Sequence, residues 1–176
     1  MSILGLPDGE FFQAEWAPEW AQLFEEERAQ LANALGEMIL DIQHVGSTSI
    51  VGLCAKPVLD IAICVENFEK AFETVAPLEA IGYAFRGEFG LPRRHYFIKG
   101  SPRTHQVHMW EIASDDWKRH IAFRDYLRAN DDARDRYAAM KREMSRIAKT
   151  RQEYQDRKGP LIQELQREAL FHFNVK

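Results

Sequence analysis

Residues 57–65, PVLDIAICV, constrain the fold more than any other stretch of this 176-residue chain. The run is short, rich in β-branched residues and bounded by turn formers, and it is apolar enough to be a central strand covered on both faces. A second strand, MILDIQHV, precedes it at 38–45. Before that, Pro18 to about Leu35 carries Trp20, Leu23, Phe24, Leu31 and Leu35 at helical spacing between charges, the mark of an amphipathic helix. After the central strand, ENFEKAFETVAPLEAIG reads as a helix ending near Gly82. GYAFR, RRHYFIKG and HQVHMWEI then read as three short strands joined by the turn-rich GEFGLP and SPRT, which favours antiparallel neighbours.

From Ser114 the chain is helical. SDDW offers an N-cap with acids in the first turn of a helix that stops near Asn130. DDARDRYAAMKREMSRIAKT forms a second helix, and the tail from Arg151 a third, interrupted or restarted at Gly159-Pro160. The expected fold is therefore α/β (α+β): a mixed sheet with an N-terminal helix and a helical C-terminal half. The length suits one compact domain over 1–176, with no repeat or flexible linker dividing it.

A formal charge of −4 gives no general attraction to nucleic acid or anionic membranes, so neither is an expected partner. With no signal-like start and no apolar run of spanning length, the cytoplasm is the expected compartment. Oligomeric state is not encoded legibly. Cys54 and Cys64 sit in apolar sequence without a paired motif and read as small buried thiols.

Chemistry concentrates at HVGSTSI, residues 44–50. A glycine lets backbone approach a ligand closely, and Ser47, Thr48 and Ser49 add hydroxyl donors suited to phosphate oxygens. His44, Gly46, Ser47 and Thr48, with the charge of Lys56, make a candidate phosphate-binding set. Asp60 falls among apolar neighbours, where a carboxylate is costly unless paired, hydrogen-bonded or bound to a cation. The alternative is that the stretch only ends a strand and caps a short helix, with Asp60 bonded to nearby amides. Along HQVHMWEI, Gln106, His108 and Trp110 share one face, and His105, Val107, Met109 and Glu111 the other. A strand beside that of Asp60 brings it either His108 or the pair His105 and Glu111. The charge runs EEER and KRE read as solvated helix faces.

A glycine-serine pair leaving one strand, with an acid among apolar residues on the next, is similar to the motif of the nucleotidyltransferase superfamily. More closely, HVGSTSIVGLCAKPVLDIAICV resembles the GrpB-like family of that superfamily. GYAFRGEFGLPRRHYF, THQVHMWE, FRDYLRAN and YAAMK follow in the family's order, and the tryptophan-containing N-terminal helix fits too. The resemblance implies that Gly46 and Ser47 hold phosphates, that Asp60 is catalytic and binds a divalent metal such as Mg or Mn, and that Arg94 clamps phosphate or carboxylate. A salt bridge from Arg94 to Glu88 or another loop acid is the alternative. Arg124, Tyr137 and Lys141 also resemble family positions; Tyr137 and Lys141 share a helix face, so Lys141 reaches an anionic ligand if that face covers the sheet and water if it does not.

Ala62 departs from the pattern, standing where active transferases carry a second carboxylate. A lone Asp60 cannot hold two cations. A metal held by Asp60 and His108 would instead be a transition metal, since imidazole is the softer ligand. Three functions follow as expectations: a protein that binds a nucleotide or other small anionic ligand, with metal-dependent nucleotidyl transfer; a different single-metal enzyme using Asp60 and His108; or a non-catalytic binding or folding module. The last is compatible with relatives that the resemblance implies are joined to an enzyme of coenzyme A biosynthesis.

Overall fold

The computed structural model describes residues 3–10, 12–148 and 151–175. The central strand of the sequence reading is β2, Leu59–Val65, in which every residue except Asp60 is buried. It pairs antiparallel with β1 (Asp41–Val45) and parallel with β5 (His105–Glu111). Beyond β5 lie β4 (His95–Lys99) and β3 (Tyr83–Phe85), each antiparallel to its neighbour, so the sheet order is β1-β2-β5-β4-β3. The sheet is mixed, and its last three strands form the antiparallel meander that the turn-rich connections predicted.

Alternation along the strands sorts the sheet into two faces. Leu59, Ile61, Ile63, Val107, Met109 and Phe97 face one way and pack on α1 (Glu19–Leu35) through Trp20, Phe24, Leu31 and Leu35. A short helix, α2 (Val75–Ala80), closes the same side with Leu78. The other face carries Asp60 and Ala62 beside their register partners Gln106 and His108. It is covered by α3 (Asp115–Ala129), whose Trp117 and Ile121 pack on Val45, Ala62 and Trp110. Two further helices, α4 (Asp131–Ile147) and α5 (Arg151–His172), form a separate apolar cluster with α3 around Leu127, Leu165 and Ala169.

Local chemistry sets the helix boundaries. Gly36, at φ 50, ends α1 and donates its N–H to Ala32. Ser114 caps α3 by accepting from the Trp117 amide. Asn130 closes α3 through its amide and opens α4 by accepting from Ala133 through its side chain.

Several boundaries differ from expectation. The first strand starts at Asp41, because residues 36–38 form a 3-10 turn. The helix expected over 66–82 is a 3-10 turn, Lys70–Thr74, followed by the short α2. Pro77 accounts for the break: it lacks an amide hydrogen and is tolerated in a first helical turn but not in an interior. Pro160, by contrast, does not interrupt α5, which stays helical from Arg151 to His172. The hydrogen bond that Pro160 cannot donate is offset by burial of Leu165 and Ala169 in the three-helix cluster.

The EEER run is not wholly solvated. Glu27 is 4% exposed, accepts from the Tyr83 hydroxyl at 2.9 Å, and takes the Lys99 ammonium at 2.8 and 3.0 Å. His105 Nε2 lies 3.7 Å from the same carboxylate, on the opposite face of β5 from His108. Removing one partner of a buried ion pair strands the other, so Glu27→Ala is expected to lower the stability of the fold by about 3–5 kcal/mol. Denaturant unfolding monitored by circular dichroism measures this.

Candidate functional site

The loop between β1 and β2 builds one wall of the site. Gly46, at φ 69, turns the chain out of β1, and Ser47–Ser49 make one 3-10 turn held by the Ser49 amide and hydroxyl on the Gly46 carbonyl, at 3.2 and 2.6 Å. The loop passes directly over Asp60. A Cβ at position 46 would lie 2.5 Å from Asp60 Oδ2 and 2.8 Å from its Cβ, so the position requires glycine for space as well as for its backbone conformation.

Asp60 is held on one oxygen. Oδ1 accepts from Gln106 Nε2, and lies 3.6 Å from both Lys56 Nζ and His108 Nε2. Burial alone would raise this carboxyl, but Lys56 and His108 outweigh it and hold the group well below the usual carboxylate range. The Tyr96 hydroxyl donates to Gln106 Oε1 at 2.8 Å, which orients the amide so that its nitrogen faces Asp60. Ala62, the position of the missing second carboxylate, is fully buried against Val45 and Trp110, with His108 as its register partner.

His108 is neutral near physiological pH, because burial lowers its pKa more than Asp60 raises it. Its Nδ1 lies 3.2 Å from Arg94 Nη1, which can only donate, so the ring proton sits on Nε2 and faces Asp60. Arg94 spends its other bonds on the carbonyls of Glu88, at 3.3 and 3.1 Å, and Phe89, at 2.9 Å. It therefore acts on Asp60 at one remove, through His108. The ion pairs expected of this loop belong to its neighbour: Arg93 bonds Glu69 at 3.1 Å and Glu111 at 3.0 Å.

Two predicted phosphate ligands turn elsewhere. His44 stacks on Phe24 of α1, with centroids 4.6 Å apart, and its Nε2 is 2.9 Å from the Thr48 hydroxyl. Burial lowers this imidazole to about 4, so His44 and Thr48 form a neutral buried pair that anchors the loop. Arg124 is also structural, tying α3 to β1 through Gln43 Oε1 at 2.6 Å and the His44 carbonyl at 3.1 Å.

A cavity of about 200 Å³ opens beside Asp60. Gly46, Ser47 and Lys56 line it from the loop, Tyr137 and Lys141 from α4, Tyr154 and Lys158 from α5, and Glu10 and Gln13 from the N-terminal segment. That segment is pinned by a backbone exchange between Ala14 and Ala55, at 2.8 and 2.9 Å, and by Gln13 donating to the Tyr154 hydroxyl. The face of α4 bearing Lys141 thus covers the sheet, and KRE is not wholly solvated: Arg142 and Glu143 are exposed, but Lys141 is not. Lys141 is only 4% exposed, its ammonium lies over the Tyr137 ring, and among the described residues no carboxylate pairs with it. Burial lowers it from 10.5 to about 7, with Lys158 and Lys56 adding to the fall and Asp60 opposing it only in part. The α5 residues were missed, although Tyr154 and Lys158 repeat the Tyr-x-x-x-Lys spacing of Tyr137 and Lys141.

The donors do not suit a divalent cation. Asp60 and His108 bring one carboxylate and one imidazole whose proton already faces that carboxylate, while Lys56 and Lys141 stand close by. Among the described residues, no three histidine, cysteine or acidic side chains gather as a metal would need.

Lys141 also makes a stability prediction. Its folded pKa lies below its unfolded one, so the unfolded chain binds more protons between pH 7 and 10.5, and stability attributable to this residue rises with pH across that window. Lys141→Met is expected to stabilise the free protein at pH 7 by about 1–4 kcal/mol. It should also remove a slope of up to about 1.4 kcal/mol per pH unit between pH 7 and 9, read as the difference between wild-type and variant unfolding curves.

Comparison with known proteins agrees with this architecture. Residues 13–168 match the family model described as GrpB protein. UPF0157 protein YqkA of Bacillus subtilis is 41% identical over 128 residues, covering 72% of this chain and 37% of its own length. A UPF0157 protein of Halalkalibacterium halodurans is 35% identical over 156 residues, covering 88% and 80%. A dephospho-CoA kinase of Mycolicibacterium paratuberculosis is 30% identical over 151 residues, 71% of this chain and 37% of the kinase. The chain thus spans little more than a third of YqkA and of that kinase. The crystal structure of conserved protein GrpB from Enterococcus faecalis superposes with a TM-score of 0.85 at 36% identity, over 92% of this chain and 99% of that one. With the family model matched from the first helix to the last, the chain belongs to the GrpB family.

Proposed function

We propose that the cavity beside Asp60 binds a small anionic ligand, a phosphate- or carboxylate-bearing molecule or the phosphate end of a nucleotide. The observation that carries this reading is Lys141: a buried lysine aimed into a cavity, without a carboxylate partner among the described residues. Burying an ammonium is costly, and a site that retains one gains from an anion that pairs with it. The hydroxyls of Ser47 and Tyr137, which bond each other, and of Tyr154, which accepts from Gln13, line the cavity with it, and Lys56 and Lys158 add charge. At about 200 Å³ the cavity encloses a phosphoryl or carboxylate head and leaves a nucleoside outside.

The kinship with a dephospho-CoA kinase supports a phosphorylated ligand without identifying it. The resemblance to nucleotidyltransferases supports the same loop as the phosphate cradle. Two-metal transfer is not part of the proposal, because Asp60 has no second carboxylate beside it. In the site, Asp60, Gln106 and His108 form a fixed floor, Gly46 and Ser47 a close backbone wall, and Lys141 the group that meets the ligand's charge.

Thermal shift against inorganic phosphate, citrate and nucleoside triphosphates, each with and without magnesium, tests the proposal. Stabilisation by at least one anion is expected in the wild type, lost in Lys141→Met and partly kept in Lys141→Arg. Because only the charged lysine pairs with the anion, affinity should fall as pH rises from 7 to 9, by up to about tenfold per unit. Absence of a shift with every anion, or an equal shift in Lys141→Met, would overturn the assignment.

A further inference from the structure

The two oxygens of Asp60 are not equivalent. Oδ1 meets all three of its neighbours, Gln106, Lys56 and His108, and the Gln106 amide is itself locked by Tyr96. Oδ2 accepts no hydrogen bond from any described residue, and it lies against the bare backbone of Gly46, at the wall of the cavity. The side chain is 16% exposed and lines the cavity.

A carboxylate in an anion site repels the ligand unless the ligand also brings it a hydrogen. Asp60 stays ionised, so it can only accept. A fixed, ionised acceptor with one vacant oxygen, sharing a cavity of about 200 Å³ with a buried lysine, is complementary to a molecule carrying a donor close to its charge. The wall's three lysines outnumber its two carboxylates, Asp60 and Glu10, which disfavours an ammonium as that donor and favours a neutral hydroxyl.

We infer that the ligand is a hydroxylated anion, in which a hydroxyl stands close to the carbon or oxygen bearing the phosphate or carboxylate. The anionic group sits on Lys141 and the hydroxyl donates to Asp60 Oδ2. This inference rests on the anion-binding proposal and specifies its substrate class: phosphorylated polyols and sugars or hydroxy acids, rather than bare phosphate or simple alkyl anions. The site discriminates because a ligand without the hydroxyl leaves Oδ2 desolvated and unpaired.

Isothermal titration calorimetry with two matched pairs separates the possibilities: glycerol 3-phosphate against propyl phosphate, and glycerate against propionate. Wild-type protein is expected to favour the hydroxylated member of at least one pair by about tenfold or more; which pair responds distinguishes phosphate from carboxylate. In Asp60→Asn, the preference should fall below about twofold while propyl phosphate binds more tightly, since a repelling charge is gone. Equal binding of both members of each pair by wild type overturns the hydroxyl inference and leaves the anion proposal standing. Binding of none of the four probes overturns the hydroxyl inference, and overturns the anion proposal too only where phosphate, citrate and the nucleoside triphosphates also fail to bind. Should Asp60→Asn fail to fold, the wild-type ratio alone decides.

Discussion

The parallel pairing of β2 with β5 is the constraint on which the site depends. Its register sets Gln106 opposite Asp60 and His108 opposite Ala62, and so decides which of two histidines, two positions apart along β5 from Gln106 or one, shares a face with the carboxylate. A slip of one residue would exchange His108 for His105 and send Glu111 toward the helices of the other layer. That register is fixed by burial, since Ile61, Ile63, Val107 and Met109 must all face α1 at once. The apolar packing on one side of the sheet thereby determines the electrostatics on the other.

The same division explains why the charges behave as they do. On the α1 face, Glu27 gathers Tyr83, Lys99 and His105 into a closed buried network. On the α3 face, Asp60 is paired on one oxygen, and the buried lysine of α4 is paired with no acid at all among the described residues. One arrangement has settled its electrostatics within the fold; the other keeps a buried ammonium that no carboxylate of the described residues neutralises, the role assigned above to the proposed anion.

Much of the fold was legible because it rests on periodicity. PVLDIAICV announces a doubly covered strand, and Gly- and Pro-rich joints announce the antiparallel meander. The loop at Gly46 and the isolated Asp60 were legible as well, since a glycine before hydroxyls and a carboxylate among aliphatics each violate local expectation. What was hidden lies in charge-rich helices. Glu27 stands between Glu26 and Arg28, and Lys141 beside Arg142, and a run of charges does not reveal which member meets a partner that arrives from another part of the chain. Arg94 was hidden differently: its role depends on Glu88 and Phe89 offering carbonyls rather than a carboxylate, and backbone orientation is not written in residue type. His44 and Thr48 were read as ligands because they flank Gly46, but strand alternation turns His44 onto Phe24 instead.

The cavity wall is assembled from segments far apart in the chain, with Gln13 and Tyr154 touching across 141 positions. A molecule lodged there acts as a rivet through the N-terminal segment, the glycine loop and two C-terminal helices. Occupancy would therefore couple the opening of segments that are distant in the chain, because a ligand touching all of them adds its binding energy only while they stay together.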